Sequence, residues 1–238
     1  MPLSPLIRRP GLLDGRPVDP YFDKVSLLLP MTGANGSTSF VDKSKNALTV
    51  TPYGNAQIST AQNPFGSGSS GYFPVNTNSP LVIDNSQGLI FGTSDFTIDG
   101  FFLPSSPPLG LGALFIKGLN TSNGLSLGLT PQGIFLRCNV YDTYDVNVAT
   151  ISSYSFVAWQ RKQGIITFWL NGVSVFSQNV SFNHTDSDVL YVGSNTNNSS
   201  IGNPSYSYAG YISNLRITKG IARYTSNFTP PTRPFPTR

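Results

Sequence analysis

Ile165-Ile166-Thr167-Phe168-Trp169-Leu170-Asn171-Gly172-Val173-Ser174-Val175-Phe176 is the stretch that decides the fold class. Two runs rich in β-branched and aromatic residues flank an Asn-Gly pair. Asn and Gly tolerate the two positive-φ positions of a type I′ turn, whose twist matches that of paired strands. The segment reads as a β-hairpin. Outward from it the same period of two recurs. Phe96, Ile98 and Phe102 share one face of 95–103, with Gly100 in phase. Leu125, Leu127 and Leu129 alternate with Ser126 and Gly128, and Ile134, Leu136, Cys138 and Val140 lie opposite Phe135, Arg137 and Asn139. Further strands are expected at 24–29, 57–60, 112–117, 154–161, 189–193 and 208–218, and one turn of helix near 221–224. No long stretch has helical periodicity. Many short strands separated by turns predict an all-β fold, and strands with one polar face need a second sheet to cover the other.

Composition agrees. The 238 residues suit one large sandwich, and only 11% of them are charged, against about 25% in an average soluble domain. All 11 acidic residues are Asp, a turn and cap former, with no Glu. One cysteine excludes an intrachain disulfide and a cysteine-built zinc site. No apolar run approaches a membrane span and no secretory signal is visible, so a cytoplasmically made, unsecreted protein is expected. The net charge of +4 is concentrated in the final segment, where Arg216, Lys219, Arg223, Arg233 and Arg238 occur without an acid. Such a basic end is not the broad basic and aromatic face that nucleic-acid binding needs.

Three regions follow. Residues 1–21 carry Pro2, Pro5, Pro10, Pro17 and Pro20 with Arg8, Arg9 and Arg16, and read as an extended arm. Residues 22–228 form the sandwich. In 229–238, Pro230, Pro231, Pro234 and Pro236 forbid helix and disfavour a central strand.

Several segments, taken in order, resemble the laminin-G-like branch of the concanavalin A-like lectin/glucanase superfamily, in the form common among tailed-bacteriophage structural proteins. They are Val25-Ser26-Leu27-Leu28-Leu29, Phe40-Val41-Asp42-Lys43-Ser44, Ile58-Ser59-Thr60-Ala61-Gln62, Phe65-Gly66-Ser67-Gly68-Ser69 and Phe91-Gly92-Thr93-Ser94-Asp95-Phe96-Thr97-Ile98-Asp99. The longest runs from Gly210-Tyr211-Ile212-Ser213-Asn214-Leu215-Arg216-Ile217-Thr218-Lys219-Gly220 to Ile221-Ala222-Arg223-Tyr224, then Asn227-Phe228-Thr229-Pro230-Pro231. The resemblance implies a two-sheet antiparallel jelly roll with its first and last strands adjacent, and Tyr211, Leu215 and Ile217 packed inward. Tyr154 stands where the family usually has Trp.

The enzymes of that superfamily use paired carboxylates, mostly Glu, about 5–9 Å apart. A chain with no Glu, one histidine (His184) and a core-phased Cys138 lacks those parts, and Asp95 and Asp99 read as capping and surface groups. No catalytic residue and no required cofactor are expected. Calcium at a loop rim is a weaker expectation, at Asp142 with Asp145 or at Asp186 with Asp188. Ligand recognition would fall to loop aromatics, amides and acids: Tyr141, Asp142, Tyr144 and Asp145 in one cluster, and Asn195, Asn198, Tyr206 and Tyr208 in another. Two roles are open. One is a structural protein on the surface of a tailed-phage virion, a homo-oligomer clamped to other virion proteins by Arg8, Arg9, Arg16, Arg233 and Arg238 of the arms. The other is a receptor- or glycan-binding module such as a tail-fibre head.

Overall fold

The computed structural model describes residues 12–13, 16–75, 77–84, 86–105, 112–118, 123–130, 132–138, 142–148, 150–193 and 207–238. In chain order the strands are β1 (Leu12–Leu13), β2 (Arg16–Pro17), β3 (Val25–Leu29), β4 (Val50–Pro52), β5 (Gln57–Ser59), β6 (Ser70–Phe73), β7 (Leu81–Ile83), β8 (Phe96–Pro104), β9 (Ala113–Lys117), β10 (Leu125–Thr130), β11 (Gly133–Cys138), β12 (Asp142–Asn147), β13 (Ser155–Lys162), β14 (Ile165–Leu170), β15 (Val173–Asn179), β16 (Leu190–Val192) and β17 (Gly210–Lys219). Short 3-10 turns occupy Phe22–Lys24 and Ser86–Leu89.

Two antiparallel sheets stack as a sandwich. One runs β12-β11-β10-β9-β16-β7-β4, the other β15-β14-β13-β8-β17-β6-β5. β3 also pairs with β17, next to β6, so the first long strand meets the last. The alternation expected from the sequence is what fills the core. Phe96, Ile98 and Phe102 from one sheet meet Leu125, Leu127, Leu129, Ile134, Leu136 and Cys138 from the other, all buried. Trp159 ties the layers together, its Nε1 donating to the Phe135 carbonyl at 3.0 Å. The Asn171-Gly172 turn has φ of 48° and 82°, the pair a type I′ turn requires. Gln163-Gly164, at 49° and 83°, repeats it between β13 and β14.

Three local expectations are corrected. Residues 221–224 form no helix; side chains supply their hydrogen bonds instead: Thr97 Oγ1 donates to the Ile221 carbonyl and accepts the Arg223 N–H, and Gln160 Oε1 accepts the Tyr224 N–H. Residues 142–147, read as loop, form edge strand β12 on β11. In β17 the register against β8 shifts between Ser213 and Arg216, and Asn214 takes φ of 52°. This bulge changes the phase, so Ile212, Leu215 and Ile217 enter the core while Tyr211 packs beside Tyr72, ring centroids 4.9 Å apart.

The outer face of the eight-stranded sheet is itself a second core. Leu28, Phe101, Phe156, Ala158 and Trp169 project there and are covered by Tyr224, Phe228 and Phe235 of the final segment. Tyr224 and Phe228 stack at 4.0 Å, and Phe235 lies over the Arg216 guanidinium at 3.8 Å. Below it Arg216 forms a bidentate pair with Asp99 (3.0 and 2.7 Å) and reaches Asp19 at 3.0 Å, while Arg223 also holds Asp19. Asp99 is completely buried, so its reading as a surface group does not hold; the charge is enclosed because Arg216 and the Tyr224 hydroxyl satisfy it.

Candidate functional site

Among the described residues, a groove able to hold a ligand lies on this outer face, where the final segment leaves the Ile165–Thr167 part of β14 and the β15 residues facing it uncovered. Strand alternation turns Ile165, Thr167 and Trp169 outward along β14. Cross-strand pairing sets Gln160 and Ser177 on either side of Thr167, and Ala158 and Ser174 on either side of Trp169. Tyr224 and Thr225 form one wall, Ser174 and Ser177 the other, and Lys162, Gln163 and Ile165 the mouth. The cavity holds about 360 Å³, within the roughly 300–1,000 Å³ of small-molecule sites.

The wall is fixed by chemistry legible only in three dimensions. Gln160 is buried, and its amide clamps the segment, accepting the Tyr224 N–H at 2.8 Å and donating to the Tyr224 carbonyl at 2.7 Å. Thr167 and Ser177 bring their hydroxyl oxygens to 3.5 Å. Ile165 remains 44% exposed, an apolar surface at the mouth. The lining offers hydroxyls, amides and apolar faces with Lys162 as its one charged side chain. Asp95 lies next to that end, where its Oδ1 accepts the Gln163 N–H at 2.7 Å.

The fold is shared with solved domains of other proteins. The binding domain of paraclostridial mosquitocidal protein 1 is similar over 84% of this chain and 49% of its own, at 14% identity and a TM-score of 0.63. The binding domain of botulinum neurotoxin DC, solved with SialylT, matches over 84% and 49%, at 14% identity and a TM-score of 0.60. Domain 4 of AbnA, a GH43 extracellular arabinanase from Geobacillus stearothermophilus, solved with arabinotriose, matches over 83% and 93%, at 18% identity and a TM-score of 0.60. The chain thus spans about half the length of the two toxin binding domains and nearly all of the arabinanase domain. No family model matches the sequence, and no curated protein matches it.

The residues singled out from sequence fall elsewhere. Tyr141, Asn195, Asn198 and Tyr206 lie outside the described residues, as do Arg8 and Arg9. Tyr144 and Asp145 are separated by strand alternation. Tyr144 is opposite core residue Leu136 and approaches Phe176 (ring centroids 6.4 Å apart), whereas Asp145 is opposite Phe135. Asp142 shares the Tyr144 phase and is exposed opposite Cys138. Tyr208 is a core residue rather than a surface one, edge-on to Phe73 with its hydroxyl donating to the Tyr211 carbonyl at 2.9 Å. Arg16 belongs to β2, Arg233 is exposed, and the Arg238 carbonyl accepts the Asp19 N–H at 3.0 Å.

The groups considered for chemistry are placed in structural roles. Burial, reinforced by Asp142, pushes the Cys138 thiol up to about 12. His184 is fully buried; burial and the Lys117 charge bring it down to about 4, a neutral imidazole that accepts the Phe91 N–H on Nδ1 at 3.2 Å. Asp186 and Asp188 neighbour a buried ammonium: Lys117 Nζ donates to the Asp188 carbonyl, and burial lowers its pKa to about 8 against the pull of both acids. Among the described residues no three His, Cys or Asp side chains gather in a metal-binding group. Among them, too, no helix is long and apolar enough to cross a membrane.

Proposed function

We propose that this chain is a non-catalytic glycan-binding domain whose ligand lies in the groove along β14. The observation that carries the reading is the lining: hydroxyls and amides beside apolar surface, with no carboxylate pair to cleave a glycosidic bond. Sugar rings present the complementary surface, apolar faces edged with hydroxyls. Support comes from the shared fold, since structures of similar domains hold SialylT and arabinotriose. A glycan array probed with the wild-type protein and with Ser177→Trp tests it. Ser177 is exposed on an edge strand, so the indole fills the groove without entering the core. Wild-type binding that Ser177→Trp abolishes is the expected result. Binding unaffected by the substitution would move the site elsewhere, and absence of binding to any glycan would overturn the function.

The setting proposed for this activity is the exterior of a tailed-phage virion, with residues 1–21 attaching the domain to neighbouring virion proteins. Its support is the motif resemblance from Val25 to Pro231 and the Pro/Arg composition of the arm. The final segment packs on its own sheet through Phe235, so attachment is assigned to the N-terminal arm alone. Deleting Met1–Gly11, a cut that spares Asp19, should abolish incorporation into particles and spare glycan binding. Full incorporation of the shortened chain would overturn the arm's role.

A further inference from the structure

The groove is not a uniform trench, because the final segment crosses the sheet diagonally. At Tyr224 it is held over β13 by the two Gln160 hydrogen bonds. Three residues later it has reached β15. The Phe228 N–H donates to the Gly172 carbonyl at 3.0 Å, and Asn227 Oδ1 accepts the Ser174 N–H at 3.4 Å. Phe228 lies over Trp169 on the way, ring centroids 5.6 Å apart. Gly172 permits this contact, since a Cβ there would stand 1.8 Å from the Phe228 carbonyl oxygen.

The walls therefore converge. In the row Gln160–Thr167–Ser177 the segment and β15 are two strand spacings apart, about 10 Å. In the row Ala158–Trp169–Ser174 the segment meets β15 and the trench is shut. At the opposite end, beyond Ile165, the Gln163-Gly164 turn leaves it open to solvent. From Ile165 to Trp169 the strand advances about 13 Å. A ligand entering such a cleft must end inside it.

We infer that the groove recognises the end of a glycan chain, with a neutral terminal sugar at the closed Trp169–Ser174 end and the rest of the chain leaving over Ile165 and Gln163. This rests on the glycan-binding reading proposed above. Neutrality follows from the lining. Thr167, Trp169, Ser174, Ser177, Tyr224 and Thr225 surround the closed end without a cationic side chain, so a carboxylate placed there would lose water without gaining a counter-charge. The nearby charges, Lys162 and Asp95, belong to the mouth.

The test is an array of neutral and sialylated oligosaccharides printed through their reducing ends. Each stands beside a copy whose non-reducing terminal sugar is fully O-methylated. Wild-type protein is expected to bind neutral free-ended chains at least ten-fold better than their methylated copies. Asn227→Ala, which removes the bridge to Ser174, should narrow that ratio while the free-ended chains still bind. Equal binding of capped and free chains, or a preference for sialylated ends, would overturn chain-end recognition and leave the glycan-binding reading standing. No binding to any spot would overturn both.

Discussion

Arg216 is the residue through which both ends of the chain are organised: Asp99 and Asp19 share its guanidinium, and Phe235 covers it. Burial raises the Asp19 pKa, but the hydrogen bonds and charge of Arg223, the Tyr21 N–H and Arg216 outweigh it and leave the group below its ordinary value. This stabilisation is present above about pH 4 and is lost as pH falls through the folded value. His184 acts in a higher window. Its folded pKa of about 4 lies below the 6.5 of an unfolded histidine, so the unfolded chain takes up the proton first as pH falls. Stability is therefore lost between about pH 6.5 and pH 4, by about 3 kcal/mol. His184→Gln, which keeps an acceptor for the Phe91 N–H, should remove that dependence. Urea unfolding across this range measures it, and an unchanged slope would refute the assignment. Neither role was legible in the sequence. Asp99, an Asp in an alternating strand, reads as a surface group, and nothing local to His184 announces its burial. What encloses Asp99 is Arg216, 117 positions away.

Among the elements, those governed by local rules were read correctly. The Asn171-Gly172 turn and the alternation in β8, β10 and β11 depend on neighbours a few residues apart. Elements whose hydrogen bonds come from far away were misread. Residues 221–224 form no helix because Thr97 and Gln160 hold them, and β17 changes phase at a bulge that no apolar period announces. Gln160, Thr167, Ser174 and Ser177, which line the candidate groove, carry no local mark of it for the same reason. They make a groove only because the final segment, bonded to Gln160 at one side and to Ser174 at one end, crosses the sheet without covering Thr167 and Ser177. That segment is held chiefly by side-chain anchors, which gives a prediction. Phe235 is 5% exposed and packs on Phe101, Phe156 and Arg216, so Phe235→Ala should cost about 3–5 kcal/mol. Chemical denaturation checks the value; a loss below about 1 kcal/mol would mean that the segment contributes little to the fold.

For the molecule as a whole, the two cores share strands. β8, β13 and β17 bury one face against the seven-stranded sheet and the other under the final segment. The segment and the sandwich are therefore expected to melt in one calorimetric transition, with van't Hoff and calorimetric enthalpies equal. A separate early transition would show the segment to be an independent flap. The bond between the Asp19 N–H and the Arg238 carbonyl also has a mechanical consequence. Chain enters β3 beside the point where β17 ends, since Val25 pairs with Thr218. A force drawing the two ends apart would first break the Asp19 clamp, then strip Phe235, Phe228 and Tyr224 from the sheet, and only then open the β3–β17 ladder from that end, rung by rung. Were the sandwich tethered by the proposed arm and pulled at the proposed β14 groove, it would take the load across several strand ladders together.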